Sequence, residues 1–186
     1  MLISPNDRIF IAGHRGMVGS AICRALSRGG YSNVLIANRE SLDLLNPDAV
    51  AKWFESNQPS LVILAAAKVG GIQANDSYPP DFLIENLKIQ NHVIESAWRN
   101  GSRRLLFLGS SCIYPRDCPQ PIREEFLLTG PLESTNEWYA VAKITGIQLC
   151  RALKKQYSLD AISLCQLIST DPEIIIILQI VMFCPP

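Results

Sequence analysis

Tyr139 and Lys143 stand four residues apart in a stretch with helical periodicity, so their side chains share one face. A lysine ammonium beside a phenol lowers the phenol's pKa and makes it a usable proton donor to a carbonyl being reduced. Ser110 follows an apolar run that reads as a strand, at the edge where ligands of such sheets bind. Its hydroxyl can hydrogen-bond the same carbonyl oxygen. A Tyr–Lys pair at this spacing is common by chance; together with Ser110 and a glycine-rich turn earlier in the chain it becomes fairly specific.

That turn is Gly13-His14-Arg15-Gly16-Met17-Val18-Gly19, directly after a strand-like run and opening a helix. The first glycine makes the turn, the second lets backbone approach a pyrophosphate, and the third allows close helix–strand packing, with the helix N-terminus facing the anion. A glycine pattern alone also describes an ordinary strand–helix turn; its setting favours a dinucleotide. The next strand ends Ala37-Asn38-Arg39-Glu40, where an acid selects NAD and an arginine accommodates the 2′-phosphate of NADP. Arg39, helped by Arg15, points to NADP(H). Both arginines read equally as solvated charges, and Glu40 keeps NAD open. Asp43 can reach an adenine edge or serve a turn. Ala65, Ala66 and Ala67 follow the third strand, where small side chains let a cofactor lie on the backbone.

Alternating elements must position these groups. Arg8–Ala12, Asn33–Ala37, Leu61–Leu64, Arg104–Leu108 and a run from Ala161 to Leu164 read as strands. Met17–Arg28 reads as a helix with Val18, Ile22 and Leu26 on one face. A second helix starts at Asn46-Pro47-Asp48 and runs to about Asn57. Asp81–Asn100, stopped by Gly101, and Glu137–Tyr157 follow, separated by a Pro-rich loop over 109–136 and the fourth strand. The near-continuous apolar strands suit a sheet covered on both faces. The pattern predicts an α/β fold, a Rossmann-like doubly wound parallel sheet, with no internal repeat and no linker before residue 164.

Composition narrows the function. The chain has 186 residues, with 17 basic and 17 acidic side chains, and this balance argues against nucleic acid or an anionic membrane as a main partner. An apolar fraction of 48% against 18% charged excludes disorder. The six cysteines form no CxxC pair and no zinc spacing with histidine, so no metal site is expected, and reduced thiols point to the cytoplasm. The start of the chain lacks a signal-peptide pattern. The apolar stretch Ile174–Cys184 is 11 residues long, short of the ~20 a membrane span needs.

The segments FIAGHRGMVGSAI, LAAAKVGGIQAN, FLGSSCIYP and NEWYAVAKITG together resemble the extended short-chain dehydrogenases/reductases. More narrowly they are similar to the GDP-L-fucose synthase family, NADP-dependent 3,5-epimerase/4-reductases of GDP-4-keto-6-deoxy-D-mannose. The resemblance covers about residues 8 to 164. It implies that Ser110, Tyr139 and Lys143 perform the reduction, that Cys112 takes part in epimerisation, and that Leu108 and Gly109 adjoin the cofactor. It also implies a homodimer built on the Asp81–Asn100 and Glu137–Tyr157 helices, and a substrate domain missing from this chain. A 4-keto group acidifies both neighbouring carbons, and inversion there needs an acid and a base on opposite faces, one of which a thiol can supply. Taken alone, Cys112 reads as a small buried hydrophobe. Cys23 and Cys150 read as helix packing, Cys118 has no evident partner, and Lys68 is either a sugar-pocket residue or a surface charge. His92 reads as structural or surface, Trp53 and Trp98 as packing, and Trp138 has no assigned role.

After Leu164 the family continues Met-Pro-Thr-Asn-Leu-Tyr-Gly-Pro, whereas this chain reads Cys165-Gln166-Leu167-Ile168-Ser169-Thr170-Asp171-Pro172. Shifting the family's codons by one base turns the first into the second, and the same offset carries through Glu173–Pro186. Two segments are therefore expected: an NADP-binding Rossmann domain over 1–164, and a non-homologous, frameshifted tail over 165–186. Met182 then stands where the family's acid/base histidine belongs. The tail is also charge-poor and β-branched, an aggregation hazard unless paired to a sheet edge. On this reading the chain is either an epimerase/reductase or an inactive fragment that binds NADP weakly or pairs with a full-length subunit. Transcript reads across the Leu164–Cys165 junction are expected to carry the family's codons one base out of frame. Reads in a frame unrelated to the family's would overturn the reading.

Overall fold

Alternation along each strand decides how the chain layers itself. In β1 (Ile9–Ala12), Ile9 and Ile11 face one side of the sheet, while Phe10 and Ala12 face the other. Strand β3 (Leu61–Leu64) splits the same way, as does β4 (Arg104–Leu108), with Leu105 and Phe107 opposite Leu106 and Leu108. Both faces are apolar, so both must be covered. Ile22 and Leu26 of α1 (Met17–Arg28) cover the first. The second receives Val50 and Phe54 of α2 (Pro47–Asn57), Val93 and Ile94 of α4 (Pro79–Arg99), and Ile144 and Ile147 of α5 (Glu137–Tyr157). Phe10, Phe54 and Phe107 are fully buried there, each worth roughly 1.5–3 kcal/mol of transfer free energy.

This architecture comes from a computed structural model, which describes residues 3–164. All five strands are parallel, in the order β2-β1-β3-β4-β5, with β2 at Val34–Leu35 and β5 at Asp160–Leu164. The chain leaves β1 toward β2 and then returns to place β3 on its other side. That reversal is the switch point of a doubly wound sheet, and it opens a crevice at the carboxyl ends of β1 and β3. Arg104, almost fully buried at the start of β4, pairs with Asp160 at 2.6 Å and pins the β4–β5 register. The expected tail, with Met182, lies outside the described residues.

Local chemistry accounts for the element boundaries. Asn46 caps α2 by accepting from Ala49 N at 3.1 Å, with Pro47 in the first turn. Gly101, at φ +73°, takes the chain out of α4. Several boundaries differ from expectation. Strand β2 is only Val34–Leu35, an edge strand paired with β1 alone, because the chain turns at Asn38, whose side chain accepts from Ser41 N at 2.9 Å. Helix α4 begins at Pro79 rather than Asp81, since proline suits a first helical turn. A short helix α3 (Ile72–Ser77) precedes it, and the 109–136 loop carries two 3₁₀ turns, at Ser111–Ile113 and Glu124–Phe126.

Trp53 packs on Phe10 with centroids 4.1 Å apart, and Trp98 on Tyr157 at 4.5 Å, both as packing residues. Helix α5 approaches the sheet closely at Gly146, where a built Cβ would lie 2.5 Å from Phe107 Cζ. Gly146→Ala gains about 1 kcal/mol of helix propensity but overpacks a full core, which costs about 1–3 kcal/mol. A lower urea midpoint is the expected outcome. A midpoint at or above the parent's would mean that Phe107 moves aside freely.

Candidate active site

The crevice beside β1 and β3 is a cleft of about 500 Å³, lined at its mouth by Gly13 through Gly19 and along one wall by Ala65, Ala66 and Ala67. Its glycines are dictated by backbone contact. Gly13 sits at φ +90°, and a Cβ there would lie 2.6 Å from Ala66 N. A Cβ on Gly19 would lie 2.1 Å from Gly13 O, so the third glycine serves the turn itself as much as helix–strand packing. Gly16 begins α1 with no side-chain cap, which leaves the first-turn N–H groups directed at the cleft. Arg15 and Met17 are exposed at the rim, and His14 and Val18 are half-buried. Arg39 lines the far end, its side chain 78% exposed and reachable by a charged ligand.

Some expected residues lie elsewhere. Asp43 Oδ1 accepts from Leu45 N at 3.1 Å, a turn contact, and Asp43 does not line the cleft. Leu108 and Gly109 also lie off the cleft wall: Leu108 O accepts from Lys143, and Gly109 N donates to Leu164 O at 2.6 Å. Leu42, Leu44 and Leu45, which sequence reasoning passed over, line the end near Arg39. The signal was present in the apolar residues of the Leu42–Asn46 run. His92 donates from Nδ1 to Leu44 O at 2.9 Å, a structural role that fixes this wall.

A second cavity, of about 600 Å³, is lined by Ser110, Cys112 and Tyr139, which come together from the end of β4 and the first turn of α5. The Cys112 thiol donates to Ser110 Oγ at 3.2 Å. Lys143 lies one turn behind Tyr139, 4% exposed, with Nζ donating to Leu108 O at 2.9 Å and 5.8 Å from the Tyr139 ring centroid. Burial brings its ammonium down to about 8, partly offset by charge interaction with Cys112. The net shift of the Tyr139 phenol runs opposite to the lowering expected beside Lys143. Burial pushes the phenol up to about 12, Cys112 adds to the rise, and only the Ser110 hydrogen bond pulls it down. Burial likewise raises the Cys112 thiol, with Ser110, its own backbone and Lys143 pulling the other way. In this state Tyr139 and Cys112 are both protonated at neutral pH.

Lys68 does not line the sugar-side cavity. Its Nζ pairs with Glu85 at 2.6 Å and Asp81 at 3.4 Å, on successive turns of α4. Its backbone is clamped by Asn86, which accepts from Lys68 N at 2.9 Å and donates to Lys68 O at 3.0 Å. Cys118 lines the second cavity together with Arg116 and Glu133, which are ion-paired at 3.3 Å. Cys150 is buried and Cys23 half-buried, both as packing residues, and Trp138 is exposed. Among the described residues no cluster could hold a metal ion, and no helix is long and apolar enough to cross a membrane.

The lysine sets a pH signature. Its folded value of about 8 lies below the ordinary 10.5, so between these values the unfolded chain holds a proton that the folded chain has lost. Stability therefore rises with pH across that window, by up to about 1.4 kcal/mol per pH unit. The thiols oppose it from about pH 9, since burial pushes Cys150 up to about 12 and raises Cys112 and Cys23, and Tyr139 joins them above pH 10, because the folded phenol keeps its proton up to about 12. The change in urea midpoint from pH 8 to pH 9.5 is expected to be more positive in the parent than in Lys143→Met, in which only the opposing thiols remain. Parallel slopes would refute the assignment.

Residues 9–166 match the model of the NAD dependent epimerase/dehydratase family. The chain is 55% identical over 163 residues to a GDP-L-fucose synthase of Sinorhizobium fredii, covering 88% of this chain and 52% of that protein. It is 56% identical over 156 residues to GDP-L-fucose synthase 1 of Arabidopsis thaliana, covering 84% and 48%. Among solved structures it is similar to a GDP-mannoheptose C4 reductase from Campylobacter jejuni with NADP bound, at TM-score 0.85 and 38% identity, covering 88% of this chain and 52% of that one. The chain thus spans about half the length of the curated relatives it matches. With a glycine turn at the sheet's switch point and a match running along the whole described domain, the chain belongs to the NAD dependent epimerase/dehydratase family.

Proposed function

We propose that residues 1–164 form the NADP(H)-binding Rossmann domain of a GDP-L-fucose synthase-type enzyme, an oxidoreductase and epimerase acting on GDP-4-keto-6-deoxy-D-mannose. The observation that carries this is the convergence of Ser110, Cys112 and Tyr139 on one cavity, with Lys143 behind them. Over the glycine turn the cleft offers room for a dinucleotide, a Cβ at Gly13 or Gly19 would collide with neighbouring backbone, and the bare N-terminus of α1 suits a pyrophosphate. Arg39 and Arg15 supply the charge for a 2′-phosphate. When bound, NADPH supplies the hydride.

The chain's own residues handle protons. Tyr139, neutral at working pH, is in the donor state for the C4 carbonyl oxygen, and Ser110 hydrogen-bonds the same oxygen. Lys143, mostly charged below pH 8, stabilises the phenolate left behind. Cys112, held protonated, enters the exchange at C3 and C5 as an acid.

A second reading is a chain that binds NADP without turnover and pairs with a full-length subunit through α4 and α5. Exposed Ile84, Trp138 and Val141 on those helices support such a contact, as they do a homodimer. One assay separates the readings. The chain is incubated with NADPH and GDP-4-keto-6-deoxymannose, while NADPH fluorescence reports binding and absorbance reports oxidation. Expected are binding, turnover to GDP-fucose, a fall of about 10²–10⁴ in rate for Tyr139→Phe, and loss of NADPH-over-NADH preference in Arg39→Ala. Binding without turnover supports the second reading, and absence of binding overturns both.

A further inference from the structure

We propose that the side-chain oxygens of Asn75 and Asn136 are the acceptors that hold pyranose hydroxyls in the cavity beside Tyr139, an inference that rests on the functional reading above. Both residues line that cavity, Asn75 on α3 and Asn136 immediately before α5. Among the described residues, these two Oδ1 atoms are buried without any hydrogen-bond partner. Buried polar atoms are almost always satisfied, so each orphan calls for an explanation.

The Asn75 orphan is not relieved by turning the amide around. Asn75, 7% exposed, donates from Nδ2 to Gly70 O at 3.0 Å and Gly71 O at 3.1 Å. A flip would press its oxygen against two carbonyls, so the oxygen is held ready as an acceptor. Asn136 occupies the cap position of α5 yet makes no side-chain cap bond, whereas Asn46, in the same position before α2, does. An asparagine placed to cap a helix that leaves its oxygen unused gives up a stabilising contact. It stands three residues before Tyr139, so a hydroxyl held there lies close to the carbonyl that Tyr139 protonates.

The chemistry of the partner follows from the chemistry of the orphans. Both are acceptors, so the ligand must bring O–H donors. Phosphate and carboxylate oxygens, acceptors at neutral pH, are rejected. Shielding from bulk water strengthens each bond once made. The pair therefore selects the sugar ring rather than the diphosphate of a sugar nucleotide.

The test uses the full 186-residue chain, ¹⁵N-labelled and saturated with NADPH. The two side-chain amide signals are assigned by their loss in Asn75→Asp and Asn136→Asp. Addition of GDP-mannose is expected to shift both pairs, whereas GDP at the same concentration leaves them in place. Asn136→Ala is expected to weaken GDP-mannose about tenfold with NADPH affinity kept. Equal shifts with GDP and GDP-mannose, or no shift with either while NADPH still binds, overturn the proposal and leave the cofactor reading standing. Failure of the unaltered chain to bind NADPH, read separately by fluorescence, overturns the functional reading itself.

Discussion

A single buried ammonium organises the reactive end of this fold. Lys143 is shut away from water and donates to the last carbonyl of β4, with the Phe107 ring 4.9 Å from its Nζ. A cation in that position is costly unless its hydrogen bonds are made, so α5 must sit where the Leu108 carbonyl can be reached. Gly146, one turn further along, lets the helix come that close. Gln90 fixes α5 from the other side by donating to Ala142 O at 2.7 Å. The position of Tyr139 follows from these three contacts, because it lies one turn before the lysine on the same face.

Buried carboxamides do for the loops what the ammonium does for the helix. Asn86 grips the backbone of Lys68 on both its N–H and its C=O, and Asn75 holds the carbonyls of Gly70 and Gly71. The segment between Ala67 and Asn75 separates the glycine-lined cleft from the cavity of Ser110 and Tyr139. Its two ends are thus tied by α4 and by its own short helix. Gly70 has no room for a side chain, since a Cβ there would lie 2.8 Å from Phe82 Cζ. Through these contacts the partition between the two cavities depends on the register of α4.

Much of this was legible in the sequence because it depends on local rules. The glycine turn, the two-faced strands, the Asn46-Pro47 start of α2 and the four-residue spacing of Tyr139 and Lys143 each carry their own signature. What escaped was set by tertiary contact. The extent of β2 depends on having a single neighbour and on the Asn38 turn. Lys68 looked available to a sugar until α4 brought two carboxylates to it. The direction of the Tyr139 pKa could not be read from spacing, because burial dominates it, and burial is not written in the motif. Asn75 and Asn136 were invisible for the same reason: an unsatisfied oxygen is known only when every neighbour has been accounted for.

The two cavities therefore differ in the hydrogen-bonding character they present. Around the glycine turn the first-turn N–H groups of α1, Arg15 and Arg39 offer donors and positive charge, with Glu85 also on the lining and Asp43 paired to Arg39. Around Tyr139 the unsatisfied groups are acceptors, while the thiol and phenol keep their protons. An anionic dinucleotide and a hydroxyl-rich sugar are complementary to opposite sides of this division. A hydroxyl both donates and accepts, so this division would orient a bound group rather than exclude one ligand from the other's site. The carboxyl edge of one sheet can hold both because β1 and β3 frame the first site and β4 with α5 frames the second.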